Sequence, residues 1–150
     1  MNNPVIRMDL PTGMVLIECF PRLAPIHVAQ ILDQANNGLY DGTVFHRVIE
    51  GFMAQGGWTQ KPLTQLPAEF NEYPHVEGTC SMARTNDPNS ASDQFFICFA
   101  NAQFLDRQYT AWGKVIYGMQ HVHAIQRGEP PQQPTPIVRM RQVDVSKLTA

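Results

Sequence analysis

The chain of 150 residues is long enough for one domain whose core needs no disulfide or metal staple. With 43% hydrophobic and 16% charged residues it reads as globular, which excludes a disordered chain. A net charge of −2 with no block of like charge argues against nucleic acid as the main partner, because phosphate binding needs a concentrated basic surface. The cysteines Cys19, Cys80 and Cys98 are odd in number and lack CxxC spacing, so they form neither a disulfide framework nor a zinc ligand set. They read as free thiols in a reducing compartment. Met1 to Leu10 lacks the basic then apolar pattern of a secretory leader, and nowhere do about 18 apolar residues run together. A soluble, cytoplasmic, monomeric protein with no membrane partner is expected.

Twelve prolines and ten glycines point to short strands joined by tight turns. Pro4 to Leu10 and Met14 to Phe20 flank Pro11-Thr12-Gly13, predicting a hairpin with a three-residue loop. Pro25 to Asn37 predicts a helix: Pro25 suits the first turn, Val28, Ile31, Leu32 and Ala35 share a side, and Asn36-Asn37-Gly38 ends it. Thr43 to Ile49 predicts a strand, and Gly51 and Gly56-Gly57 mark bends or close backbone approaches. Trp58 to Glu77 has three prolines and little periodicity, which predicts loop. Gly78 to Ala83, Gln94 to Phe99 and Thr110 to Val115 predict strands, with a turn-rich loop over Arg84 to Asp93. Met119, Val122 and Ile125 lie on one side of a second short helix that Gly128 stops. Ile137 to Val145 closes the chain as a strand whose alternation shifts near Arg141, predicting a bulge. Many short strands with two isolated helices suggest a closed or nearly closed antiparallel sheet, its open ends covered by the helices.

The most informative segment runs from Phe45-His46-Arg47 to Phe52-Met53-Ala54-Gln55-Gly56-Gly57. It sets an arginine, a phenylalanine, a methionine and a glutamine around glycines. On a strand from Thr43, Phe45 and Arg47 share a face. In the second segment, Ser92-Asp93-Gln94-Phe95-Phe96-Ile97-Cys98, Gln94 and Phe96 share a face. Taken singly these residues say little. Arg47 reads as a surface ion-pair partner, Met53 as core filling and Tyr109 as a loop aromatic. His46 suits a structural hydrogen bond, His27 and His75 read as surface groups, and His121 and His123 do not face each other.

Together the two segments resemble the cyclophilin family, with its F-H-R signature running to F-M-x-Q-G-G and its S-Q-F-F-I signature. Tyr40-Asp41-Gly42, Ser81-Met82-Ala83, Leu105-Asp106 and Gly113-Lys114-Val115 follow in family order, so the resemblance spans about Val15 to Met119 and is to the short bacterial form. It implies one domain over residues 1–150: a mainly β fold, a closed eight-stranded antiparallel β-barrel capped by two α-helices. It implies peptidyl-prolyl cis/trans isomerisation without cofactor or metal, acting on proline-containing peptides and on unfolded or partly folded proteins. The implied catalytic residues are Arg47, Gln55 and Phe52. The implied substrate-binding residues are Met53, Ala83, Arg84, Gln94, Phe96, Phe104, Leu105 and Tyr109. Phe95 is assigned to the core and Phe96 to the pocket, because adjacent strand residues face opposite ways.

The chemistry is consistent with such a site. Twisting a peptide C–N bond costs roughly 18–20 kcal/mol, and X–Pro exchange takes about 10–100 s unaided. A catalyst needs no nucleophile; it must favour the twisted amide, in which the lone pair returns to the prolyl nitrogen. A cationic donor among apolar walls does that. Three departures from the family pattern stand out. Phe104 replaces a tryptophan, which removes an indole N–H and predicts weak affinity for cyclosporin-type ligands. Arg84 replaces an asparagine and predicts a taste for acidic residues beside the proline. Asp93 replaces a serine and changes the groove's charge. A binding module that holds proline peptides with little turnover is the alternative reading; the intact Arg47 and Gln55 favour the enzyme.

Overall fold

A computed structural model describes residues 3–61 and 64–144. Eight strands follow one another: β1 (Val5–Leu10), β2 (Gly13–Cys19), β3 (Arg47–Ile49), β4 (Met53–Gly56), β5 (Thr79–Met82), β6 (Phe95–Cys98), β7 (Ala111–Tyr117) and β8 (Arg139–Val143). Helix α1 (Pro25–Asn36) follows β2 and helix α2 (Met119–His123) follows β7, with a single 3-10 turn over Gln103–Leu105. All ladders are antiparallel, in the order β3-β4-β6-β5-β7-β2-β1-β8.

The expected closed barrel is not made by strand pairing: among the described residues β3 and β8 form no ladder with each other, and the sheet is open and curled. Its two ends approach through irregular chain instead. Gly42 N donates to Ile137 O (2.7 Å), Ile137 N to Thr43 O (2.7 Å) and Phe45 N to Thr135 O (2.9 Å). Each edge is also blocked. On β3, Val48 exchanges both backbone hydrogen bonds with Gly128. On β8, Met140 N donates to Asp41 Oδ1 and Gln142 N to Asn36 Oδ1. Blocked edges resist pairing with another chain.

One face of the curled sheet carries the core. Ile6, Ile17, Val48, Ala54, Phe95, Ile97 and Trp112 pack there with Val28 and Ile31 of α1 and Val122 of α2, all buried. Phe95 meets Tyr40, Phe45 and Trp112 edge-on, an arrangement aromatic pairs favour. Helix α1 has no side-chain cap of its own at Ala24. Glu69, from the loop far along the chain, accepts from Ile26 N (3.1 Å) and His27 N (2.8 Å) instead.

Four local expectations change. The first hairpin pairs Leu10 with Gly13, so its loop has two residues rather than three. The strand expected from Thr43 begins at Arg47, because Val44 and Phe45 bond to the 135–136 segment. Phe45 is therefore buried in the core while Arg47 is exposed on the other face; they do not share one. No bulge lies at Arg141, where β1 and β8 keep regular register. The shift in alternation comes from Val138, exposed between buried Ile137 and Met140 just before the strand begins. The bulges lie in β7's two ladders, between Leu16 and Ile17 and between Cys80 and Ser81. Val145, the expected end of the last strand, lies outside the described residues.

Candidate active site

Strand register builds the site. Ser81 pairs with Phe96, Phe96 with Gln55, and Gln55 with Arg47. Residues directly opposite in an antiparallel ladder point to the same face. A row of side chains therefore crosses β5, β6, β4 and β3 on the face away from the core. Met53 and Cys98, two residues along their strands, flank the row. They form a second apolar cluster with Phe96, Ala102 and Leu105, and Ile49, Phe52, Ala83 and Tyr109 pack around it.

A cavity of about 170 Å³ opens on this cluster. Met53, Phe96 and Leu105 line its depth, Phe52, Ala83 and Tyr109 its walls, and Arg47, Gln55 and Arg84 its polar margin. Tyr109 stands edge-on to Phe96 with centroids 5.8 Å apart. The turn that returns β3 to β4 brings Phe52 here: Phe52 N donates to Ile49 O, and Gly51 takes φ 73°, a left-handed conformation glycine adopts without strain. Gly56 is required by contact, since a Cβ there would lie 2.9 Å from both Phe45 Cδ1 and Val44 O.

The polar groups are linked in a chain. Gln55 Nε2 donates to Gln94 Oε1 (3.0 Å), and Arg47 Nη1 donates to Gln55 Oε1 (3.3 Å). Arg47 Nε donates to Glu129 Oε1 (3.2 Å). Arg84 donates to Gln108 O through Nε and Nη2 and to Thr85 O through Nη1, with its guanidinium 4.6 Å from the Tyr109 ring centroid.

Two expected site residues lie outside the cavity itself. Gln94 lines an adjoining hollow with Arg84, Ser90 and Asp93. Phe104 is 67% exposed and touches the site through its ring, 5.5 Å from that of Phe52. Asp93 is buried, its carboxylate accepting from Thr59 N, Thr59 Oγ1 and Ser92 Oγ.

The histidines depart from expectation. His75, expected at the surface, is fully buried behind the cavity. Its Nδ1 lies 3.0 Å from Asp106 Oδ1 and its Nε2 2.9 Å from Ser81 Oγ, while its ring stacks on Phe96. A carboxylate only accepts, so Nδ1 carries the proton and Nε2 accepts from the serine. Burial lowers the imidazole's pKa, and Asp106 only partly offsets this. His27 is equally buried, its Nδ1 2.6 Å from Glu69 Oε1, and burial again lowers its pKa against the carboxylate's pull. His46 leaves its buried Nδ1 without a partner among the described residues. Cys98 lies under the cavity, where burial, with Asp106 adding to it, pushes its thiol up to about 12, far from a nucleophile's range. Sequence reasoning missed His75, whose loop has no periodicity to betray burial, and Glu129, a lone acid after Gly128.

An apolar cavity with an arginine and a glutamine held side by side at its edge can hold a small ring and direct hydrogen bonds at the atoms beside it. A family model described as cyclophilin type peptidyl-prolyl cis-trans isomerase/CLD matches residues 5–145. The chain belongs to this cyclophilin family. A Brucella abortus relative named "Probable peptidyl-prolyl cis-trans isomerase" is 45% identical, over 84% of this chain and 72% of its own. Peptidyl-prolyl cis-trans isomerase B of Escherichia coli is 36% identical, over 70% of each chain. The crystal structure of cyclophilin AquaCyp293 from Hirschia baltica superposes with TM-score 0.88 at 34% identity, covering 93% of this chain and 73% of that one. A Cryptosporidium parvum cyclophilin type isomerase, solved in the presence of the dipeptide Ala-Pro, shares the fold with TM-score 0.86 at 24% identity, covering 93% of this chain and 99% of its own. This cyclophilin is accordingly a peptidyl-prolyl cis-trans isomerase, which accelerates rotation about the peptide bond preceding proline. Among the described residues no helix is long and apolar enough to cross a membrane.

Proposed function

We propose that the isomerase acts on X–Pro bonds of unfolded or partly folded proteins, with Arg47 favouring the twisted amide. The proline ring enters against Met53, Phe96 and Leu105, and Phe52 closes over it. Arg47 donates toward the prolyl nitrogen, which regains its lone pair only when the amide is twisted. Gln55 and the backbone near Ala83, with Gln94 beyond, hold the chain on one side so that the other side turns. The observation that carries this reading is the register of Arg47 beside Gln55 and of Gln55 beside Phe96, which brings these three side chains into one line. Binding of proline peptides is supported by analogy with the Cryptosporidium parvum isomerase, which was solved in the presence of the dipeptide Ala-Pro.

The test is exchange kinetics on a short X–Pro peptide, by NMR or protease coupling. Arg47→Ala is expected to lose about two to three orders of magnitude in kcat/KM, by analogy with the loss of an oxyanion-hole donor at about 2.7–4 kcal/mol. Its circular dichroism should be unchanged. A folded variant with wild-type rates would overturn the assignment.

A main core shared by the strands and both helices supports reading residues 1–150 as one domain. Three buried, unpaired thiols support a reducing, cytoplasmic setting, and the blocked sheet edges support a monomer. The exposed phenyl ring of Phe104, which lacks an N–H donor, supports only weak affinity for cyclosporin-type ligands. Titration calorimetry checks that, and tight binding would refute it.

A further inference from the structure

We propose that Glu129 is a positioning residue for Arg47: it holds the guanidinium at Nε so that the Nη2 donors are left for substrate. The inference rests on the role assigned to Arg47 above. Val48 and Gly128 exchange two backbone hydrogen bonds, each 2.8 Å, in an isolated antiparallel bridge. That pairing sets their neighbours Arg47 and Glu129 opposite each other, on the side where side chains approach closely. The side chains meet, with Arg47 Nε donating to Glu129 Oε1 at 3.2 Å. On the opposite flank Arg47 is in register with Gln55, and Nη1 donates to Gln55 Oε1 at 3.3 Å. The row that crosses the sheet from Ser81 thus ends on Glu129, contributed by a loop rather than a strand.

The clamp accounts for two of the five guanidinium N–H groups, Nε–H and one on Nη1. Both donors on Nη2 remain unused among the described residues. A long side chain with its head half in water samples many rotamers, and a partner on each flank removes much of that freedom before substrate arrives. The loop that carries Glu129 is itself tied down. Gln133 N donates to Gln126 Oε1, and Arg127 pairs with Glu50 just after β3. Arg127 also donates to the carbonyls of His123 and Ile125. The Arg47–Glu129 pair is roughly half exposed on both sides, and exposed ion pairs contribute little to folding stability. Its consequence is where the guanidinium points.

The experiment measures X–Pro exchange for wild type, Glu129→Ala, Glu129→Gln, Arg47→Ala and the double variant Arg47→Ala/Glu129→Ala. It also records the Nε–H resonance of Arg47. Glu129→Ala should fold normally, lose about tenfold in kcat/KM and broaden or shift that resonance, since small misplacements of a reacting group carry rate losses of this order or more. Glu129→Gln keeps an acceptor for Nε and should stay within about twofold of wild type. In the Arg47→Ala background the Glu129 change should have no further effect, because its influence runs through the arginine. A folded Glu129→Ala with wild-type rate and an unmoved resonance would overturn the proposal. So would an undiminished loss in the Arg47→Ala background. If Arg47→Ala alone keeps full activity, the failure lies in the assignment of Arg47 itself.

Discussion

At the scale of single residues, Arg84 carries the sharpest prediction about substrate choice. Its three donated hydrogen bonds all go to backbone carbonyls, and no carboxylate pairs with it among the described residues. The guanidinium is held over the Tyr109 ring and lines both the proline cavity and the adjoining hollow. The one acid in that hollow, Asp93, already accepts three hydrogen bonds from Thr59 and Ser92. An acidic substrate residue next to the proline therefore meets a cation with donors to spare. A contact of this exposed kind is worth about 0.2–1 kcal/mol, so a Glu-Pro peptide should react roughly 1.4- to fivefold faster than its Gln-Pro counterpart. Arg84→Ala should abolish the difference, and equal rates in the wild type would remove the idea. The identity of this residue was legible in the sequence. Its fixed orientation was not, because that depends on Gln108 and Tyr109 being brought alongside by the fold.

At the scale of elements, two buried imidazoles hold loops to regular structure. His27 joins the start of α1 to the loop at Glu69, and His75 joins its own loop to Ser81 of β5 and to Asp106 after the 3-10 turn. Both have folded pKa values below the ordinary 6.5, because burial opposes charging. As pH falls through 6.5 the unfolded chain takes up protons that the folded chain resists. Stability is thus full above that value and declines below it, by at most about 1.4 kcal/mol per pH unit for each imidazole until the lowered folded value is reached. The urea midpoint should be lower at pH 5 than at pH 7.5; a midpoint unchanged between them would show that neither ring is a neutral buried group. Neither role could be read from the sequence. Both histidines look like surface residues beside prolines, and only long-range contacts, 42 residues to Glu69 and 31 to Asp106, reveal what they do. Helix α1, by contrast, was readable almost to the residue, since Pro25, the apolar spacing and Asn36-Asn37-Gly38 are local signals.

At the scale of the whole molecule, the fold was legible in kind. Short strands and two helices point to a β architecture, and the family resemblance carried by the segment from Phe45 to Gly57 implies that Arg47 and Gln55 lie together. What was not legible is how the sheet's ends meet. Their approach depends on Thr43, Phe45, Thr135 and Ile137, which bond outside any ladder, and a periodic pattern carries no information about such contacts. The same irregular chain delivers Glu129. The row from Ser81 through Phe96, Gln55 and Arg47 has a consequence for how the molecule reports on itself. Its members come from four strands and depend on three separate registers being correct at once. A slip of one residue in β3 would turn Arg47 inward and Val48 outward. On the role proposed for Arg47, misaligned chains should be inactive even if compact and well packed. Turnover is accordingly a stricter gauge of the assembly of these four strands than any spectroscopic measure of strand content, and recovery of activity after denaturation would count only those molecules in which β3, β4, β5 and β6 have found their proper neighbours.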